Sequence, residues 1–313
     1  MLPPWQTRAS EFHPYRADDL SALPESLRGA AKAALPVGTK SVSALVMPTD
    51  YRSSEESEDA HPVPEQALVF TDSGVLHVQA SLTGEAAPST VYIQPENLLY
   101  LKSSHILLYG RLELFGSVQS EPVKLVMEFN SVAWPLMETE WRGLVCKAIG
   151  LAPPAPDEDR VESQREKALL ESVPAKFAEG LRKYGLYTGE QLVGVIFQPA
   201  VWTQTLAVLD HQVAPNTLLA LTDASMLVLE EERALVRKTE QYGLVVMRIP
   251  WGAIVDVQSV VQDSLEELRI SIAREGVSTE RRVLLEPGKA QFWRGLWEGR
   301  TAKALPIVQG AVV

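Results

Sequence analysis

The residues able to do chemistry in this chain are few and scattered. Its five histidines are His13, His61, His77, His105 and His211, and none stands in a His-Glu-x-x-His or other tight metal-ligand spacing. His77 lies between Leu76 and Val78 on the opposite face of an alternating run, the place of an exposed strand residue. His211 follows Asp210, a pair that could form a catalytic dyad, but adjacency on a loop is weak evidence for one. The sole cysteine, Cys146, sits beside an apolar helical stripe with nothing nearby in sequence to lower its pKa, so it reads as core packing. Glu55, Glu56, Glu58, Asp59 and His61 offer ligands for a hard cation. They lack the alternate-residue spacing and the glycine of a calcium loop, and read as a solvated acidic loop. There is no nucleophile elbow, no phosphate-cradling Gly-Lys-Ser/Thr loop and no dinucleotide glycine pattern. The expectation is no catalytic residue, no metal and no cofactor.

One segment carries apolar weight in an unusual place. Ala200–Pro215 reads as a long loop, yet it contains Val201, Trp202, Leu206, Val208 and Leu209. That much apolar surface needs a cover. The first reading is an intramolecular cover, from another part of the chain or an extra strand. The sharper reading makes Trp202, Leu206, Val208 and Leu209 an interaction surface for a protein partner or for self-association.

Composition bounds the rest. The 313 residues include 40 acidic and 29 basic ones, for a net charge of −11, and 46% are apolar. Two well-filled cores are therefore expected, and global disorder is excluded. Up to Gly150 there are 11 basic and 18 acidic residues, and after it 18 and 22. Neither part is basic, which argues against a nucleic-acid partner. The chain starts without a signal-peptide pattern and contains no 18-residue apolar run, so a cytoplasmic location without a transmembrane segment is expected.

What positions these residues is a duplication. A shift of 151 residues aligns Gly38 with Gly189, Val42 with Val193, Pro48 with Pro199, Pro64 with Pro215, Leu68 with Leu219, Thr71-Asp72 with Thr222-Asp223 and Leu76 with Leu227. A shift of 152 aligns Pro135 with Pro287 and Trp141-Arg142-Gly143-Leu144 with Trp293-Arg294-Gly295-Leu296. Each copy reads as an opening helix (Pro24–Leu35; Pro174–Leu186), a strand (Lys40–Met47; Gln191–Gln198) and a long loop (Thr49–Pro64; Ala200–Pro215). A hairpin follows, Gln66–Thr71 with Gly74–Gln79 and Thr217–Leu221 with Ser225–Glu230, in which Asp72 and Asp223 bond their own turn. Further strands are expected at Thr90–Gln94, Leu98–Lys102, Ile106–Leu108, Arg111–Phe115 and Val123–Phe129. Their partners in the second copy are Leu244–Ile249, Ile254–Val260, Glu267–Ala273 and Arg281–Leu285. A final amphipathic helix opens at Pro135 or Pro287 and buries Trp141 or Trp293. Domain boundaries follow: an extension 1–22, a domain 23–150, a Pro-rich acidic linker 151–160, a domain 161–304 and a tail 305–313.

Strands ending in a helix with a central Trp resemble the pleckstrin-homology superfold. Leu218–Glu230 and Arg248-Ile249-Pro250-Trp251-Gly252-Ala253-Ile254 are similar to segments of bacterial PH-like domains. Phe70-Thr71-Asp72, Ile93-Gln94-Pro95 and the stretch Ile106–Leu114 match more loosely. The resemblance spans roughly Leu35–Gly150 and Leu186–Lys303. It implies a mainly β (α+β) chain of two tandem PH-like, partly open β-barrels, each of about seven antiparallel strands capped by a C-terminal helix. The fold transfers no activity by itself. Phosphoinositide-binding members use Lys and Arg in the loop joining their first two strands. Here Thr49–Pro64 is acidic around a lone Arg52, and Ala200–Pro215 has no Lys or Arg, so that recognition is disfavoured. Basic residues elsewhere, such as Arg233, Arg237 and Lys238, remain for an unconventional site on another loop. The leading expectation is a non-catalytic binding or scaffolding module. A peripheral membrane or lipid-ligand binder comes second, and an enzyme with a site between the copies third.

Overall fold

Pro24 and Pro174 start the two copies in the same way. Each caps a helix with extended backbone, φ −50° and −54°, and its carbonyl accepts the first intrahelical N–H bonds. Proline suits that place because its ring presets φ and its missing N–H is not needed there. The architecture comes from a computed structural model, which describes residues 14–54, 57–82, 86–106, 109–152, 160–205, 209–231, 243–262 and 265–301.

The first copy contains β1 (Tyr15–Ala17), α1 (Glu25–Ala34), β2 (Ser41–Met47), β3 (Asp50–Ser54), β4 (Ser57–Val63), β5 (Gln66–Thr71), β6 (Val75–Gln79), β7 (Ser89–Ile93), β8 (Leu98–Ile106), β9 (Tyr109–Val118), β10 (Glu121–Asn130) and α2 (Glu138–Ala148). α3 (Gln164–Glu171) follows, closed at its start by a capping box between Ser163 and Glu166. The second copy contains α4 (Ala175–Gly180, continued by a π-helical turn Leu181–Gly185), β11 (Leu192–Gln198), β12 (Val201–Thr205), β13 (Leu209–Ala214), β14 (Thr217–Thr222), β15 (Ser225–Glu231), β16 (Leu244–Pro250), β17 (Ile254–Gln262), β18 (Leu265–Arg274), β19 (Val277–Leu285) and α5 (Lys289–Thr301).

All strand pairings are antiparallel, and the sheets are open. In the first copy β2-β5-β6-β7 form one sheet, with β1 from the N-terminal extension on its edge; β8-β9-β10 follow. In the second copy the matching groups are β11-β14-β15-β16 and β17-β18-β19. The copies are not separate. β8 pairs with β16, Leu101–His105 against Arg248–Leu244, and merges two groups into one seven-stranded sheet.

Three expectations need correction. The long loops are two-stranded ribbons: β3 pairs with β4 and β12 with β13, and among the described residues neither ribbon joins a larger sheet. Their sequence reads as loop because no apolar face repeats there at period two. Leu98–Lys102 and Ile106 belong to one strand, Leu98–Ile106, rather than to two. Ser103, Ser104 and His105 do not interrupt it because the seam pairs them with β16; Leu107 and Leu108 lie outside the described residues. His77 is not exposed. It is buried with Nε2 2.9 Å from Gln66 Oε1, because α1 covers the face bearing Leu76 and Val78 and leaves His77 on the side of the main core.

Each copy has an equivalent core between its two strand groups and its last helix. Trp141 (3% exposed) packs with Leu45, Leu68, Leu101, Leu114 and Phe129; Trp293 (1%) packs with Leu219, Met226, Leu268 and Ile270. The helices α1 and α4 cover the outer faces of the first sheets. Gly180 lets α4 approach β16, since a Cβ there would collide with Leu244 Cδ2. The matched Gly38 and Gly189 have φ of +86° and +84°, a region that disfavours side chains.

Candidate interaction surfaces

The Thr-Asp pair shared by the copies is a double staple. Thr71 Oγ1 accepts the N–H groups of Ser73 (3.3 Å) and Gly74 (2.8 Å), and Thr222 Oγ1 those of Ala224 (3.2 Å) and Ser225 (2.8 Å). Asp72 Oδ1 accepts the Ser73 hydroxyl at 3.4 Å inside its own turn, and both aspartates also reach outside it. They reach back to the start of the first strand: Asp72 Oδ1 accepts Lys40 N–H at 3.1 Å and Asp223 Oδ1 accepts Gln191 N–H at 3.0 Å.

Behind the second turn lies a buried charge cluster. Arg248 Nη1 and Nη2 donate to Glu190 Oε1 (2.5 Å) and Oε2 (3.1 Å), and Nη2 also donates to the Gly185 carbonyl. The hydroxyls of Thr222 (2.6 Å) and Ser225 (2.9 Å) donate to Glu190 Oε1, and Tyr187 N–H to Oε2 at 3.2 Å. The guanidinium stands 4.9 Å from the Tyr187 ring centroid, a cation–π distance. Burial by itself raises the Glu190 carboxyl; Arg248 and the two hydroxyls override it, so its pKa is lowered on balance. Every charge here is matched, which is the condition for a tolerable buried pair. The cluster binds α4, β11 and β16 together and opens no site for a ligand. Sequence reasoning passed over both residues, although a lone Arg in the apolar run of β16 was a usable signal.

The seam is held by side chains from both copies. His105 of β8 stacks on Tyr184 (centroids 3.7 Å, 13° between planes) and meets Trp134 edge-on at 4.6 Å. Burial, then Lys183, depresses His105 to about 3. Leu99 of the first copy is fully buried in the core of the second, and Tyr187 of the second enters the core of the first. On the opposite face Glu113 accepts from Tyr100 (2.7 Å) and Arg111 (3.1 Å) and pairs with Lys124 (3.2 Å). Burial lowers the pKa of nearby Lys102.

A cleft of about 390 Å³ separates the end of α2 from the second copy, lined by Ala148–Leu151, Asp223, Ala224, Pro250–Gly252 and Arg274. Its two charged groups have structural duties: Asp223 holds the Gln191 N–H, and Arg274 donates to the Glu96 carbonyl. The titratable groups with large shifts lie elsewhere: besides His105, burial lowers His77 to about 4 and raises Cys146 to about 11, Tyr187 to about 12 and Tyr100 as well. Arg142 and Arg294, beside the two tryptophans, pair with Glu138 and Glu298 one helical turn away.

The residues singled out for interaction separate on the structure. Trp202 lies half-buried on β12, opposite Gln212, and Leu209 begins β13. Leu206 and Val208 lie outside the described residues, as do His13, Glu55, Glu56, Arg233, Arg237, Lys238 and linker residues 153–159. Asp210 and His211 are on β13, and Glu58, Asp59 and His61 on β4. Among the described residues no three carboxylate, imidazole or thiol groups gather for a metal, and no helix is long and apolar enough to cross a membrane. No protein-family model matches the chain, and a search of curated proteins returns no similar sequence.

Proposed function

We propose that this chain is a non-catalytic binding or scaffolding module built from two PH-like units. The four-plus-three strand order of each copy, closed by a helix with a buried Trp, supports the PH-like reading. The observation that carries the binding role is the ribbon β12–β13. It is hydrogen-bonded as a two-stranded sheet of its own and bears Trp202, a half-buried ring of the large amphipathic kind that serves as an interface anchor. The polar clusters around Glu190, Asp72, Asp223 and Glu113 hold turns and seam. We infer a protein partner for the ribbon. Phosphoinositide recognition is not favoured, because the ribbons that stand where a PH domain collects cations carry only Arg52.

A photo-crosslinking residue at the exposed Thr203 tests this reading in cells. The expected result is one dominant cross-linked protein, lost in Trp202→Ala while the thermal melt is unchanged. No protein adduct, together with headgroup-selective and salt-sensitive retention on phosphoinositide vesicles, would replace it with a lipid-binding role.

A further inference from the structure

The seam uses one edge from each copy, β8 from the first and β16 from the second. The complementary edges, β7 of the first copy and β17 of the second, end their sheets without a strand partner among the described residues. We propose that these two edges pair between molecules, so that a second copy of this chain docks head to tail and repeats the internal seam. The inference rests on the duplication and is independent of what the Trp202 ribbon binds.

The correspondence can be made residue by residue. Short 3-10 turns, Pro95–Asn97 and Trp251–Ala253, lead into β8 and β17. Both strands then carry the same bulge, between Leu98 and Tyr100 and between Ile254 and Asp256. Val75 pairs with Ile93 in the first copy as Met226 pairs with Ile249 in the second, which sets Ser89–Ile93 against Val245–Ile249. In the seam Ser104 pairs with Val245, Ser103 with Val246, Lys102 with Met247 and Leu101 with Arg248. Transferred to the open edges, that register pairs Val260 with Ser89, Ser259 with Thr90, Gln258 with Val91 and Val257 with Tyr92.

The side chains support the transfer. Leu99, fully buried by the seam, corresponds to Val255, which is 58% exposed. His105, stacked on Tyr184, corresponds to Val261, which is 74% exposed. β17 therefore shows apolar side chains to solvent at the two positions where β8 gains its cover. The faces also agree. Leu101, in the first core, lies beside Arg248 on the helix-covered face of β16; Val257, in the second core, would lie beside Tyr92, which packs under α1. Natural edge strands are usually blunted by charge or proline. Ser89–Ile93 and Val257–Val261 contain neither. Asp256 Oδ1 accepts the Val257 N–H at 2.8 Å and caps the end of the edge; the pairs from Gln258 to Val260 lie beyond it. Because the two edges belong to different surfaces, the contact is heterologous and builds open chains, or rings where the rotation between copies closes.

Thr90→Cys and Ser259→Cys variants, purified separately and then mixed under mild oxidation, provide the test. A disulfide-linked dimer is expected in the mixture and in neither variant alone, and the sedimentation coefficient of the natural chain should rise with concentration. Val255→Lys with Val261→Lys should abolish that rise without lowering the thermal melt. A natural chain that stays monomeric at its highest soluble concentration would overturn the proposal. So would a Ser259→Cys variant that cross-links to itself as well as to the Thr90→Cys variant.

Discussion

The Thr-Asp turn occurs in both copies, and its surroundings differ. In the first copy Tyr92 completes it: the phenol oxygen lies 2.8 Å from Ser73 Oγ and 3.3 Å from Thr71 Oγ1. In the second copy the position of Tyr92 is taken by Arg248, which brings Glu190 with it. Tyr92 stands on an edge strand, and Arg248 stands on a strand covered by β8. A phenol at an open edge can exchange bonds with water. A guanidinium under a seam cannot, and its charge must be matched inside the protein. One local motif thus has two electrostatic solutions, set by whether the neighbouring edge is covered.

The largest test of the equivalence is in the cores. Trp141→Ala and Trp293→Ala should each destabilise by about 3–5 kcal/mol, read by denaturant melts, because each ring fills an equivalent core. A small loss in one alone would break the symmetry. The contrast at the turns comes next. Glu190→Ala leaves the Arg248 charge buried and should cost about 3–5 kcal/mol, whereas Tyr92→Phe should cost about 1 kcal/mol. Replacing Glu190 and Arg248 together with apolar residues should recover most of the loss; if it does not, the pair is more than a matched charge.

One part of the pH dependence comes from His77. Its folded pKa of about 4 lies below the ordinary 6.5, so the unfolded chain takes up a proton first as pH falls. Stability is full above about pH 6.5 and declines towards pH 4, by about 2 kcal/mol at pH 5 from this group. His105, depressed to about 3, acts with the same sign over the same window, so His77→Gln should remove about half of that slope and leave the His105 share. The depressed Glu190 carboxyl acts in the same sense at lower pH: its contribution is present above the ordinary carboxylate range and is lost as pH falls through the folded value. The smallest effect belongs to the staples. Asp72→Ala and Asp223→Ala each remove one bond to a strand-start N–H and should cost about 1 kcal/mol, equally in both copies. Unequal costs would show that the seam supports the second turn.

Much of this architecture was legible in the chain. The prolines at 24 and 174, the paired Thr-Asp turns and the helices carrying Trp141 and Trp293 are local signals, and each element formed within a few residues of its expected place. The interaction surface was only partly legible. Trp202 marked a segment whose apolar weight needs a cover, but nothing in its pattern distinguished a ribbon from a loop.

The sequence by itself determined the two copies, their turns and their apolar faces, because those depend on backbone preference and on periodicity over a few residues. Tertiary structure decided the rest. His77 is buried because its strand is covered on both faces, by α1 over Leu76 and Val78 and by the first core around Leu68 and Val91 over His77. Arg248 and Glu190 meet because β16 passes the end of α4. The choice of β8 as partner for β16 has the same origin: every edge strand offers the same backbone donors and acceptors, and only the packing of Leu99, His105, Tyr184 and Tyr187 around the seam selects which edges join.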